Sequence, residues 1–314
     1  MAEIDVVVPY LGIGSAGNSV TANRYCSIFG QLGHVATTTD TPTAPLVVAL
    51  NAYRTRHVVA ELPETTTVIV VLTGTDIYRF WDQDRDAVSC TLDRADVIVG
   101  LNDLVGRSLP TKHRAKLTCI KEGALALSTE PTRSTSPPLH AICVGHLRDE
   151  KAPELIADAL DRLDPNCDVV VDHYGAAHSE SWAQWARDTS ERSEQYQWHR
   201  EVSRSRLDEI YAGADLLINT SKMEGGANVI SEAVMAGLPI LATAIDGNAG
   251  VLGTSYPGLF TPDDPYELAD RLAALASNPE ALEQITLSSR LLQPELSIKQ
   301  ETARWRELLE GLLK

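Results

Sequence analysis

The feature that most constrains the fold is the repeated alternation of short, almost wholly apolar runs with longer amphipathic stretches. IDVVVPY, PLVVALN, TVIVVLTG, ADVIVGLN and KLTCIK punctuate the first half, and HAICVGHL, DVVVDHYG, ADLLINTS and PILATAI the second. Val- and Ile-rich runs without polar alternation suit the strands of a parallel sheet, whose two faces are both covered by helices. The stretches between them carry helical patterns. VTANRYCSIFGQLGH, for example, runs to Gly33, a residue type that caps helices by adopting positive φ. ADVIV (95–99) and ADLLI (214–218) occupy similar places in the two halves. The expected fold class is α/β, with two Rossmann-like βα domains facing across a cleft and ligand at the carboxyl ends of the strands.

At 314 residues the chain exceeds what one core comfortably supports, about 250–300 residues. The Ser-, Thr- and Pro-rich stretch STEPTRSTSPPL (128–139) reads as a linker. The expected organisation is a domain over 1–130, a linker over 131–138, a second domain over 139–292 and a closing helix over 293–314 that packs across the domains. A net charge of −16 argues against a nucleic-acid or anionic-membrane surface and makes any anion site a local exception. The sequence has no apolar run of 18 residues and no signal-peptide pattern, so a cytoplasmic location is expected. The five cysteines (Cys26, Cys90, Cys119, Cys143, Cys167) lack CxxC spacing and read as buried free thiols, outside any disulfide or zinc site.

Chemistry concentrates in EGGANVISEAVMAGLP (224–239), which follows the strand-like ADLLIN. A helix is expected to start near Ala227 and to end at Gly237, with Pro239 as a stop. Gly225 and Gly226 lower helix propensity but let backbone approach a ligand, and the amides of 225–228 with the helix dipole would favour an anion. Asn228 and Glu232 are four residues apart and share a face. Glu224 precedes the helix and Glu232 lies deeper, where it can accept from a pair of hydroxyls. A phosphate group with a sugar at each end suits that spacing, whereas a helix-capping glutamate beside a Gly-rich turn is the plainer alternative. In VGHLRDEKAPELIADAL (144–160), Arg148 and Lys151 project from a strand-to-helix loop and are candidates for phosphate contact. The plainer alternative there is a solvated loop paired to Asp149 or Glu150.

In the first half, the loop PYLGIGSAGNSVTANRY carries Gly12, Gly14 and Gly17 after the first strand. Gly17 and Asn18 are donor-phosphate candidates, and Arg24 is a candidate for an acceptor anion. LTGTDIYR places Thr73, Thr75, Asp76 and Arg79 at a strand end, where the hydroxyls, the Gly74 amide and Arg79 could hold a small oxyanion. Asp76 is equally suited to cap the next helix. Lys121 and Glu122 sit at another strand end. DQDRD (82–86) imitates a metal-binding DxD but reads as a solvated acidic turn, and the eight histidines show no ligand spacing. Trp182 and Trp185 have helical spacing and are expected in the core.

VGHLRDEK, ADLLINTSKMEGGANVISEA and GLPILATAIDGNAGVL, in that order, resemble the donor half of family 4 glycosyltransferases of the GT-B fold. That resemblance implies a glutamate pair separated by seven residues, matched by Glu224 and Glu232. The second would hold the nucleotide ribose and the first would lie by the donor sugar. It also implies a diphosphate grip by an Arg and a Lys. Lys151 falls on the lysine position, His146 stands at the arginine position, and Arg148 two residues on is the candidate replacement. GNSVTANRY, LTGTDIYR, VGHLRDEK, EGGANVISEA and GNAGVLG followed by YPGLF together resemble one branch, the selenosugar synthases of the selenoneine pathway. The motifs extend over about residues 5–270.

The resemblance implies transfer of a sugar from UDP-N-acetylglucosamine or UDP-glucose to selenophosphate, with the first domain on the acceptor side and the second holding the donor. Glu224 and His146 would be catalytic. Arg148, Lys151, Gly225, Gly226, Ala227, Asn228, Glu232, Gly17 and Asn18 would bind the donor, and Thr73, Thr75, Asp76, Arg79 and Arg24 the acceptor. No cofactor or metal is expected beyond the UDP-sugar co-substrate. Rival readings are an O-glycosyltransferase with the same donor site, a non-catalytic nucleotide-sugar binding protein, and a hydrolase or epimerase acting on UDP-sugars.

Overall fold

The computed structural model describes residues 1–9, 16–128, 132 and 137–313. Gly12, Gly14 and most of the expected linker (131 and 133–136) therefore lie outside the described residues. The chain forms two compact units. The first comprises Met1–Glu122, Glu224–Gly226 and Lys299–Lys314, and the second Gly123–Met223 and Ala227–Ile298.

The first unit is built on β1 (Glu3–Val7), β2 (Val35–Thr39), β3 (Leu46–Leu50), β4 (Thr67–Leu72), β5 (Val97–Gly100) and β6 (Leu117–Cys119), in the order β2-β1-β3-β4-β5-β6. Every pair is parallel. All five residues of β3, LVVAL, are buried, as a run without polar alternation requires. The helix Ala16–Gln31 ends as expected at Gly33 (φ +85°). Gly33 N–H donates to Gly30 O and His34 N–H to Phe29 O, both at 3.0 Å, which satisfies the last carbonyls of the helix. The helix Ile298–Leu312 belongs to this unit from Lys299 onward. Its Trp305 is fully buried and meets Tyr25 and Phe29 edge-on, with ring centroids 4.8 and 5.1 Å away.

The second unit holds β7 (Leu139–Val144), β8 (Val169–Tyr174), β9 (Tyr196–Trp198), β10 (Leu216–Asn219), β11 (Ile240–Thr243) and β12 (Leu259–Phe260). Their order is β9-β8-β7-β10-β11-β12, again all parallel. The chain reverses its direction of winding between β1 and β3 in one sheet and between β7 and β10 in the other. In open α/β sheets the carboxyl ends flanking such a reversal form the ligand crevice. The α/β architecture with two parallel sheets is thus as expected. Three edge strands were not legible: β2 is VATTT and largely solvated, and β9 and β12 have only three and two residues.

One expectation needs correction. All five cysteines are free thiols, but only Cys143 is buried; Cys90 is exposed on the helix Arg85–Arg94, and the other three are partly exposed. Asp84 of DQDRD caps that same helix, its Oδ1 accepting from Ala87 N at 3.2 Å. Among the described residues no His, Cys, Asp or Glu cluster is placed to hold a metal ion, and no helix is long and apolar enough to cross a membrane. Trp185 packs against the second core and meets Tyr196 edge-on, whereas Trp182 is partly exposed and donates to Asp149 Oδ1 at 3.1 Å.

Candidate active-site residues

In the second unit, β7 runs into Gly145 and the loop that carries His146, Arg148 and Lys151, and β10 runs into Thr220, Ser221 and Lys222. These two loops flank the winding reversal and are tied together by hydrogen bonds to backbone carbonyls. Lys222 N donates to Glu150 O, and Thr220 Oγ1 to Lys151 O, each at 2.8 Å. Below them Thr243 Oγ1 donates to Ser221 O at 2.5 Å, and Asn248 Nδ2 donates to Thr243 O at 3.1 Å. The two strand ends are therefore tied to one another by hydrogen bonds within the unit.

Lys151 passes its methylene stem over Gly145, close enough that a Cβ there would lie 3.7 Å from its Cδ and Cε. The Arg148 Nε is shielded from solvent and makes no hydrogen bond, with Glu150 Oε2 3.9 Å away. His146 is half-buried, and its Nδ1 accepts from Ala176 N at 3.1 Å. That bond assigns the neutral tautomer, because a ring nitrogen that accepts a backbone N–H cannot carry the proton. Burial, then the neighbouring His178 and Arg148 side chains, lowers the His146 pKa from its ordinary value. His146 is thus a neutral imidazole that presents Nε2–H, suited to donating a hydrogen bond rather than to acting as a base.

The helix Asn228–Met235 starts one residue after the expected Ala227, which stands at its N-cap and offers no side-chain cap. Asn228 and Glu232 share its face, as the spacing predicted. Glu232 is 12% exposed and is held from the helix Arg204–Gly213: Tyr211 Oη donates to Oε2 at 2.9 Å, and Arg204 Nη1 pairs with Oε1. Burial, then the carboxylate, pushes the Tyr211 phenol well above its ordinary pKa, so it remains a donor. Neither Arg204 nor Tyr211 was singled out from sequence. Nothing in RSRLDEIYAG distinguishes a solvated arginine and a core tyrosine from any other amphipathic helix.

Glu224, Gly225 and Gly226 pack with the first unit. Glu224 is half-buried there. Gly225 and Gly226 have a packing reason that spacing did not reveal. A Cβ on Gly225 would lie 2.4 Å from Thr73 C, and one on Gly226 would lie 2.7 Å from Leu101 Cβ. Asn102, fully buried, fastens the segment by donating Nδ2 to Gly225 O at 2.7 Å.

The neighbouring strand end of β4 gathers the first-half candidates. Asn51 (φ 73°) lies after β3 with its Oδ1 accepting from Arg54 N at 3.0 Å, which orients its amide nitrogen toward the threonines. Asn51 Nδ2 then donates to Thr73 Oγ1 and Thr75 Oγ1 at 2.9 and 3.0 Å, leaving each hydroxyl hydrogen to be donated elsewhere. Asn51 was missed because an asparagine after a strand reads as an ordinary turn residue.

Asp76 requires correction as an acceptor ligand. It is fully buried, and its carboxylate accepts from the backbone amides of Ala52, Thr73, Gly74 and Ile77. It shapes the turn, and the Gly74 amide offered for an oxyanion is already donated to it at 2.9 Å. Arg79 lies half-buried on the following helical turn Asp76–Phe80.

Arg24 requires the same correction. Its Nη2 donates to Glu122 Oε1 at 2.5 Å and its Nε lies 3.2 Å from Glu301 Oε2, with Thr21 Oγ1 adding a 2.7 Å bond to Glu122 Oε1. Although burial opposes it, Glu122 and Glu301 raise the Arg24 pKa, so the charge is permanent and matched inside the unit. Glu122 Oε2 in turn would lie 3.5 Å from a Cβ on Gly226. Gly17 is exposed with nothing within 4 Å of a Cβ, and Asn18 is half-buried; both lie in the first turn of the helix Ala16–Gln31. Lys121 is buried and paired with Asp103 Oδ2 at 2.7 Å.

Comparison with known proteins agrees with this architecture. No curated protein sequence matches the chain. In fold it is similar to HepE of Anabaena, solved with UDP (TM-score 0.74, 14% identity, 99% of this chain and 100% of that one). It is likewise similar to a glycosyltransferase from Rickettsia africae (0.76, 13%, 100% and 99%). A third relative by fold is the sucrose-phosphate synthase of Thermosynechococcus elongatus (0.80, 12%, 100% and 99%). At these identities the likeness establishes the two-domain α/β fold of the GT-B enzymes. The family described as glycosyl transferases group 1 matches residues 129–290, just over half of the 314. The chain belongs to the glycosyl transferases group 1 family.

Proposed function

We propose that this glycosyltransferase takes its sugar from a UDP-sugar, UDP-N-acetylglucosamine or UDP-glucose, and transfers it to selenophosphate. The observation that carries the donor half is the loop after β7: in a protein of net charge −16, Arg148 and Lys151 both lie on the loop at a strand end beside the winding reversal of the family-matched unit. That HepE, a relative by fold, was solved with UDP-glucose supports the choice of nucleotide. In this reading Lys151 and Arg148 neutralise the diphosphate, and the His146 Nε2–H adds a donor where charge builds on the departing UDP. Asn228 at the helix N-terminus is a further donor, Glu232 accepts from the ribose hydroxyls, and Glu224 holds the donor sugar or stabilises its oxocarbenium character.

For the acceptor, the Thr73 and Thr75 hydroxyls and Arg79 supply two donors and a cation, enough for a small oxyanion. Selenium attacks the anomeric carbon, the carbon–oxygen bond to UDP breaks, and UDP leaves with the electron pair. Water then cleaves the P–Se bond, releasing phosphate and the selenosugar. Selenophosphate is already a charged, soft nucleophile, so the chain needs to orient the reactants and stabilise the leaving group rather than supply a strong base.

The test is UDP release from each UDP-sugar with and without selenophosphate, with mass analysis for a sugar bearing selenium. Release that depends on selenophosphate and is lost in Lys151→Ala and Glu232→Ala supports the reading. Turnover only with a hydroxyl acceptor would replace it with O-glycosyl transfer, and binding without turnover would leave a nucleotide-sugar binding protein.

A further inference from the structure

Glu232, to which the proposed reading gives the nucleotide ribose, already has both carboxylate oxygens engaged within the second unit. The two contacts differ in kind. Tyr211 is fully buried and donates its hydroxyl to Oε2 at 2.9 Å from the interior face of the helix Arg204–Gly213. Arg204, the first residue of that helix, reaches Oε1 with a side chain 59% exposed to solvent. An ion pair with one partner in water is weak, because solvent screens it and the long side chain loses freedom in making it. The buried phenol has no water to turn to, so its hydrogen bond persists.

A ribose offers two vicinal hydroxyl donors; Tyr211 already occupies one of the two acceptor sites of Oε2, so Oε1 carries the larger share of the carboxylate's capacity for them. Arg204 stands on that oxygen. We infer that Tyr211 is a positioning residue for Glu232 and that Arg204 is a competitor displaced by the nucleotide diol. Arg204 therefore sets how strongly the site discriminates a ribose from a sugar lacking the 2′- and 3′-hydroxyls. This inference rests on the reading of Glu232 as the ribose ligand.

The experiment is titration calorimetry of the full chain with UDP and with 2′,3′-dideoxy-UDP, which cannot compete for Oε1. The wild-type protein is expected to prefer UDP, and Glu232→Gln to erase that preference; these two results support the underlying reading. Arg204→Met is then expected to raise UDP affinity about 1.5- to fivefold, the range of an exposed ion pair. Its affinity for the dideoxy ligand should stay unchanged, and Arg204→Lys should restore part of the competition. Tyr211→Phe should narrow the preference for UDP while leaving dideoxy affinity in place.

If Glu232→Gln erases the preference but Arg204→Met leaves UDP affinity unchanged or lowers it, the competitor role is overturned and the ribose reading stands. If the wild-type protein binds the two ligands alike, the ribose reading falls and takes the inference with it. Arg204→Met alters an exposed side chain, so it decides the matter even if Tyr211→Phe folds poorly.

Discussion

Gly225 and Gly74 approach so closely that neither backbone leaves room for a methyl group on the other: a Cβ on Gly74 would sit 2.4 Å from Gly225 N, and one on Gly225 would sit 2.6 Å from Gly74 N. Gly74 also holds φ at +107°, a conformation that an L side chain rarely adopts. The segment bearing Glu224 is thus seated against the loop bearing Thr73 and Thr75 by close backbone packing, and the Asn102 side chain fastens it.

Gly225→Ala is expected to destabilise the protein by about 1–3 kcal/mol, the usual penalty for forcing a methyl group into a filled space. The midpoint of urea denaturation measures it. A variant as stable as the wild type would mean that the two loops separate readily.

Trp305 gives the closing helix its hold on the first unit. Trp305→Ala should lower stability by about 3–5 kcal/mol, because removing a fully buried indole from against Tyr25 and Phe29 leaves a cavity that its neighbours only partly fill. Denaturation monitored by tryptophan fluorescence and by circular dichroism would register the loss. A change below about 1 kcal/mol would assign the helix a lesser part.

On the second sheet His140 Nε2 and His199 Nε2 each lie 2.5 Å from a different oxygen of Asp172. The hydrogen bond to Asp172 raises the His140 pKa, and although burial opposes it, hydrogen bonds from His140 and His199 hold Asp172 low. A raised histidine contributes stability that is complete below the unfolded value of about 6.5 and is lost as pH climbs through the folded value. A depressed carboxylate contributes stability present above about 3.9 and lost as pH falls through its folded value. The pair is therefore worth most between about pH 4 and 6.5. The stability gap between wild type and His140→Gln should be wider at pH 5.5 than at pH 8, which urea titrations at the two values would check. An equal gap would show that the contact contributes no charge–charge stabilisation.

His146 is held neutral by burial and by its neighbours, so it should add no titration to turnover above about pH 6.5. His146→Ala should lower turnover about ten- to hundredfold, the worth of one hydrogen bond to a charged group. The pH–rate profile above 6.5 should keep its shape. Disappearance of a limb near neutrality in the variant would instead assign His146 a proton-transfer role.

Much of the fold was legible in the sequence, and much of the candidate site was not. Runs such as LVVALN and ADLLIN announce parallel strands because burial on both faces removes every polar position, a purely local signature. The edge strands VATTT and YQW escaped because half-solvated strands of few residues carry no such signature. Glu224, Glu232, Arg148 and Lys151 stand out as chemistry-bearing types at telling spacings. Asn51, Asn102, Arg204 and Tyr211 do not, although they orient or occupy the residues beside them.

By itself, the sequence determined two α/β units, the loops at their strand ends and membership of a glycosyltransferase family. Only the tertiary structure decided which charges are already answered. Arg24 looked available for an anion but is matched by Glu122 and Glu301, 98 and 277 residues away. Gly225 looked like an opening for a ligand but is filled by backbone from Thr73 and Gly74. Hydrophobic pattern is written along the chain, whereas electrostatic pairing and close packing depend on distances between segments that no local stretch encodes.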